Sequence, residues 1–130
     1  MRARTSLLLL VALALVLSVA QADAASLEGE WNGSGVISPK DGPREKVRCR
    51  ISYRRESEKV FGLTATCATR SNKIQQTGKL LMVSTTKYVG DFYNPTHDVT
   101  GRVRVVVRGS RQTVTFESAR GSGRVTLRKR

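Results

Sequence analysis

Histidine, cysteine and aromatic residues, the side chains that most often carry chemistry, are scarce in this chain. Its 130 residues include one histidine, two cysteines and one tryptophan, and aromatics make up 5%. Acid–base or nucleophilic catalysis needs two positioned titratable groups, or a nucleophile with a base beside it. A Ser–His97–Asp98 or Ser–His97–Asp91 arrangement can be written down, but no nucleophile elbow accompanies it. With so few aromatics, and most of them on inward positions, the exposed stacking surface used to bind single-stranded nucleic acid is missing too. Acidic residues number only 10 against 23 lysines and arginines, which gives a net charge of +13. Such an excess attracts anionic surfaces and says nothing about fold. Beyond the first twenty residues there is no long apolar run, and no window repeats with a helical period of 3.6.

The N-terminus has three parts. Met1-Arg2-Ala3-Arg4 is basic, Leu7 to Ala20 is apolar, and Ala20-Gln21-Ala22 and Ala22-Asp23-Ala24 are small-x-small cleavage sequences. This is the secretory signal pattern, and the apolar run is short for a membrane span. Residues 1–22 are therefore expected to be a signal peptide, with residue 24 as the other cleavage point, and 25–130 to form one domain in the periplasm or outside the cell. In an oxidising compartment two cysteines are expected to form one disulfide.

Period-two alternation fills the remainder, broken by turn residues. Eight strands are predicted: Glu28 to Ile37, Glu45 to Arg54, Lys59 to Thr69, Ile74 to Val83, Lys87 to Tyr93, Asp98 to Arg108, Gln112 to Ser118, and Gly123 to Lys129. Folding the second onto the third about Glu56-Ser57-Glu58-Lys59 places Cys49 opposite Cys67, Ile51 opposite Ala65 and Tyr53 opposite Leu63. One register satisfies both the sulfur atoms and the apolar face, and a slip of one residue would break it. A disulfide there should contribute about 3 kcal/mol by restricting the unfolded chain. The fourth strand has apolar residues on both faces, and a bulge is expected near Gly78. Gly109-Ser110 reads as a two-residue hairpin turn. The last turn, at Arg120-Gly121, is expected to pair Phe116 with Val125 and Val114 with Leu127.

Short connections make consecutive strands antiparallel neighbours. The fold expected is an all-β, eight-stranded up-and-down meander closed as a small barrel, which hides both sheet edges; a β-sandwich is the alternative. Inward Gly33, Gly35, Gly90, Gly101 and Gly123 suit strands that bend sharply. The interior can be filled by side chains or can hold one small ligand, and the pattern alone leaves both open.

Gly29-Glu30-Trp31 resembles the G-x-W opening of the calycin superfamily, the lipocalins and avidin-like barrels. That resemblance implies that Trp31 closes one barrel end, with Arg124 or Arg128 packed across it. The chain is shorter than a lipocalin and carries no C-terminal helix pattern. From Gly29 through Cys49 and Cys67 to Gly90-Asp91-Phe92-Tyr93-Asn94-Pro95 it also resembles a group of small secreted bacterial proteins with no established activity.

On the outward positions, Glu117 is expected between Arg102 and Arg124, and Arg48, Arg50 and Arg54 opposite Glu28 and Glu30. Arg104, Arg108, Arg128, Lys129 and Arg130 are left as the candidate anion-binding face. Asp91, Asn94, His97 and Asp98 cluster at one turn, where turn formation explains them better than a cation site does. The reading that follows is a non-enzymatic, exported barrel that binds an anionic or amphipathic envelope component. Lipid, lipopolysaccharide, acidic polysaccharide and a small ligand all fit, at the basic face or the barrel mouth. No metal or cofactor is implied. A small inhibitor of a secreted protease is the alternative, by analogy of fold, and a hydrolase near His97 is a third.

Overall fold

The computed structural model describes residues 26–130, so the expected leader lies outside the described residues. The alternating segments form eight strands: β1 (Gly29–Pro39), β2 (Glu45–Arg55), β3 (Val60–Ala68), β4 (Lys73–Met82), β5 (Lys87–Asn94), β6 (Val99–Arg108), β7 (Arg111–Ser118) and β8 (Gly121–Lys129). Each pairs with the next, and β8 returns to β1, so the sheet closes as an up-and-down antiparallel barrel. The β1–β8 seam runs from Trp31 opposite Lys129 to Pro39 opposite Gly121. No helix among the described residues is long and apolar enough to cross a membrane.

Between β2 and β3 the register is the expected one. Cys49 faces Cys67, with Ile51 on Ala65 and Tyr53 on Leu63. The two cysteines form a disulfide, their Cα atoms 4.1 Å apart, the close spacing of a non-hydrogen-bonded pair.

Three local expectations change. β7 and β8 pair two residues away from the anticipated register, with Phe116 on Gly123 and Val114 on Val125. The turn is Ala119-Arg120, because the Ser118 hydroxyl accepts the Arg120 N–H and donates to the Gly121 carbonyl. The inward set is unaffected, since a shift of two preserves which face each side chain occupies. At Gly78 there is no bulge: Leu63, Gly78 and Phe92 are consecutive partners across β3, β4 and β5. On the outer face, Glu117 lies opposite Arg102 and Ser122 rather than Arg124. Glu30 lies opposite Ser52 and meets Arg130 at 3.6 Å, while Asn32 and Ser34 face Arg50 and Arg48.

Large inward side chains collect toward one end of the barrel. Trp31, Phe61, Leu80, Val105, Val114 and Leu127 are all at most 1% exposed. Phe61 packs edge-on against Tyr88 at 5.3 Å. Leu27, just ahead of β1, is fully buried among them and accepts the Trp31 indole N–H at 2.9 Å. Trp31 thus lies at a plugged end. The cation across it is Lys129, 5.7 Å from the ring centroid, and not Arg124 or Arg128. Alternation decides this, because the even-numbered arginines of β8 point outward and Lys129 shares the inward positions of Val125 and Leu127. Two strand glycines allow the tight curvature: a Cβ on Gly33 would lie 1.9 Å from the Thr126 carbonyl oxygen, and one on Gly90 would lie 1.8 Å from that of Lys79.

Candidate ligand-binding site

The opposite end of the barrel is open. A cavity of about 340 Å³ enters between the loops that join β1 to β2, β3 to β4, β5 to β6 and β7 to β8. Filled core and hollow barrel are therefore both realised, one in each half. The cavity wall is largely aliphatic and aromatic, with Ile37, Val47, Ile74, Val99 and Val125 joined by Phe92 and Phe116. The two phenylalanines meet edge-on at 5.5 Å. The Cys49–Cys67 disulfide faces the same space and clips β2 to β3 in its wall.

Gly123 explains part of the opening. Unlike Gly33 and Gly90, it is not pressed against a neighbouring strand. A Cβ placed there would find nothing nearer than Ile37 Cγ1 and the Val36 carbonyl oxygen, both at 3.7 Å. The expectation that all five inward glycines serve curvature fails at this one, which leaves room for a ligand instead.

Polar groups gather at the rim. Glu45, at the start of β2, accepts the Ser71 hydroxyl at 3.1 Å. Asn94 is buried, and its side-chain oxygen accepts the N–H groups of Thr96 and His97 at 3.0 and 3.2 Å. Asp98 takes a positive φ of 50° and accepts the Tyr93 hydroxyl at 3.1 Å. That hydrogen bond is the largest cause of the raised Tyr93 pKa, followed by the Asp98 charge and then burial. Asx-type turn bonding thus accounts for the Asn94–Asp98 cluster. Among the described residues, no group of three or more His, Cys, Asp or Glu side chains is placed to hold a metal ion. His97 lines the mouth with Arg120 and Glu45, while Gln76 carries a polar group along the wall.

The five cations singled out from the sequence do not form one cluster. Arg104, Arg108 and Arg128 are exposed on the outer faces of β6 and β8. Lys129 turns to the plugged end, where its ammonium donates to the Ser26 carbonyl at 2.7 Å, and Arg130 is engaged with Glu30. Arg111 was missed by the sequence reading. The Gly109-Ser110 turn that the sequence did disclose places it directly opposite Arg108. The cavity residues had no separate signal, because alternation marks inward positions without saying which half of the barrel they occupy.

No protein-family model matches the sequence, and no curated protein sequence matches it. Several solved structures are similar in shape. A redesigned β-barrel bound to DFHBI superposes with a TM-score of 0.66 at 14% identity, covering 82% of this chain and 97% of that one. A de novo fluorescence-activating β-barrel gives 0.63 at 14% identity, over 82% and 96%. Rv2717c from M. tuberculosis gives 0.56 at 9% identity, over 80% and 92%. At such identities the likeness is one of fold: a small closed β-barrel.

Proposed function

We propose that this protein is a non-enzymatic binding barrel, exported from the cell, that takes one small amphipathic ligand into its open half. The observation that carries this reading is the cavity: about 340 Å³, walled by apolar side chains and open at one end only. A pocket of that size is at the lower end of those that hold small molecules. Its volume corresponds to about ten water molecules, which an apolar ligand body would release. Gln76 on the wall and Glu45, His97 and Arg120 at the mouth meet the polar end of the ligand. A similar fold that binds DFHBI supports the reading by analogy of shape. Closing the far end with Leu27 and Trp31 leaves a cup rather than a pore, so the ligand enters and leaves by one mouth.

A homologous series of n-alkyl amphiphiles tests this. Each added CH₂ that reaches the apolar wall should tighten binding about fourfold, from roughly 0.8 kcal/mol per buried methylene. Affinity should then stop rising once the cup is full. Binding that is independent of chain length would refute the proposal.

A further inference from the structure

The outer wall of the barrel has an organisation separate from the cup. Taking outward residues across β6, β7, β8, β1 and β2, one row reads Arg108, Arg111, Arg128, Asn32 and Arg50 as successive partners. The next row toward the mouth reads Val106, Thr113, Thr126, Ser34 and Arg48. The third reads Arg104, Thr115, Arg124, Val36 and Lys46. All the arginines and the lysine in this grid are exposed. None of the fifteen positions is acidic, and none is aromatic.

Cross-strand partners of like charge oppose folding, and Arg108, Arg111 and Arg128 are three in succession. Between the first and third rows lie mainly hydroxyl side chains, and Asn32 sits within the first. An array of guanidinium forks interspersed with hydrogen-bonding groups matches sulfate and carboxylate groups spaced along a chain. With strands about 4.8 Å apart, one row extends about 19 Å around the wall. It follows five of the eight strands of a closed barrel, so its ends face in different directions. A flat bilayer can touch only part of such a convex surface, whereas a flexible chain can follow it. Without an aromatic side chain in the grid there is no platform on which bases could stack.

We infer that this wall binds a flexible, linear acidic polysaccharide, through an arginine grid on β6, β7, β8, β1 and β2. The inference is independent of what occupies the cup. Retention of the protein on heparin, a sulfated and carboxylated chain, tests it. Arg108→Gln, Arg111→Gln and Arg128→Gln combined should lower the salt needed for elution markedly, and should reduce the slope of log affinity against log salt by about three. The variant should melt no lower than the wild type, since a like-charge row has been relieved. Lys40→Gln, Arg44→Gln and Arg70→Gln combined remove the same charge from the mouth loops, where all three are exposed, and should leave elution close to wild type. Equal losses in the two triple variants would overturn the inference, as would single-stranded DNA or anionic phospholipid vesicles binding as tightly as heparin at the same salt.

Discussion

Replacing Gly123 with valine should stabilise the protein and block its cup, an unusual sign for a glycine inside a strand of a tight barrel. A Cβ at Gly123 meets only ordinary contacts at 3.7–3.8 Å, from Ile37, Val36 and Phe116. Burying a valine side chain contributes about 1.5–3 kcal/mol, and removing glycine from a strand interior adds about 0.5–1 kcal/mol. The cup is open, so part of the new side chain stays wet, and a net gain of about 1–2 kcal/mol is the reasonable expectation. For a domain of this size that raises Tm by about 5 °C or more. Gly90→Val is the matched control: its Cβ would lie 1.8 Å from the Lys79 carbonyl oxygen, where two paired strands would have to separate, at a cost of more than about 3 kcal/mol. Thermal melts of the two variants, read beside titration with an apolar fluorescent probe, give the result. Gly123→Val should melt higher and bind the probe at least tenfold more weakly, and Gly90→Val should melt far lower. If Gly123→Val destabilises the fold and leaves probe affinity unchanged, the space over Gly123 is not the binding space and the reasoning is wrong.

Two other consequences are open to measurement. Removing the disulfide with Cys49→Ala and Cys67→Ala should lower stability by about 3 kcal/mol, visible as an earlier urea midpoint, and thiol titration of the unreduced, denatured wild type should find no free thiol. Burial pushes the Tyr53 hydroxyl far above its ordinary value of 10.0, so the folded state keeps a proton that the unfolded chain releases. This contribution to stability is complete below about pH 10 and is lost as pH rises beyond it, with a slope of up to about 1.4 kcal/mol per pH unit. Tyr53→Phe should flatten the alkaline part of the stability curve without removing it, because burial also raises the Tyr88 pKa, partly offset by the Arg55 charge.

Much of the fold can be read from the residues, for identifiable reasons. Alternation marks each strand, and short turns make neighbours antiparallel. The paired constraint of Cys49–Cys67 and Ile51–Ala65 selects one register. Where only one constraint acted, the reading drifted: β7 and β8 are set by the Ser118 hydroxyl bonding its own turn, and two residues either way would have kept Val114 and Phe116 inside. Gly78 illustrates the same limit, since a glycine that marks a bulge and one that admits a neighbouring strand look alike along the chain. The cup was less legible still. It depends on which inward residues from different strands share a level once the strands tilt, so Gly123, Ile37 and Phe116 become neighbours only in three dimensions. The arginine grid stood between these cases, with Arg104, Arg108 and Arg128 recognisable at once and Arg111 joining them only through the hairpin register.

Native mass spectrometry of the protein purified from the cells that make it, run beside Gly123→Val from the same source, bears most directly on the cup. The wild type should carry one small molecule per chain, released by mild collisional activation, and Gly123→Val should fly bare. Wild type and variant both free of any added mass, or both carrying the same one, would contradict a ligand held in the open half of the barrel.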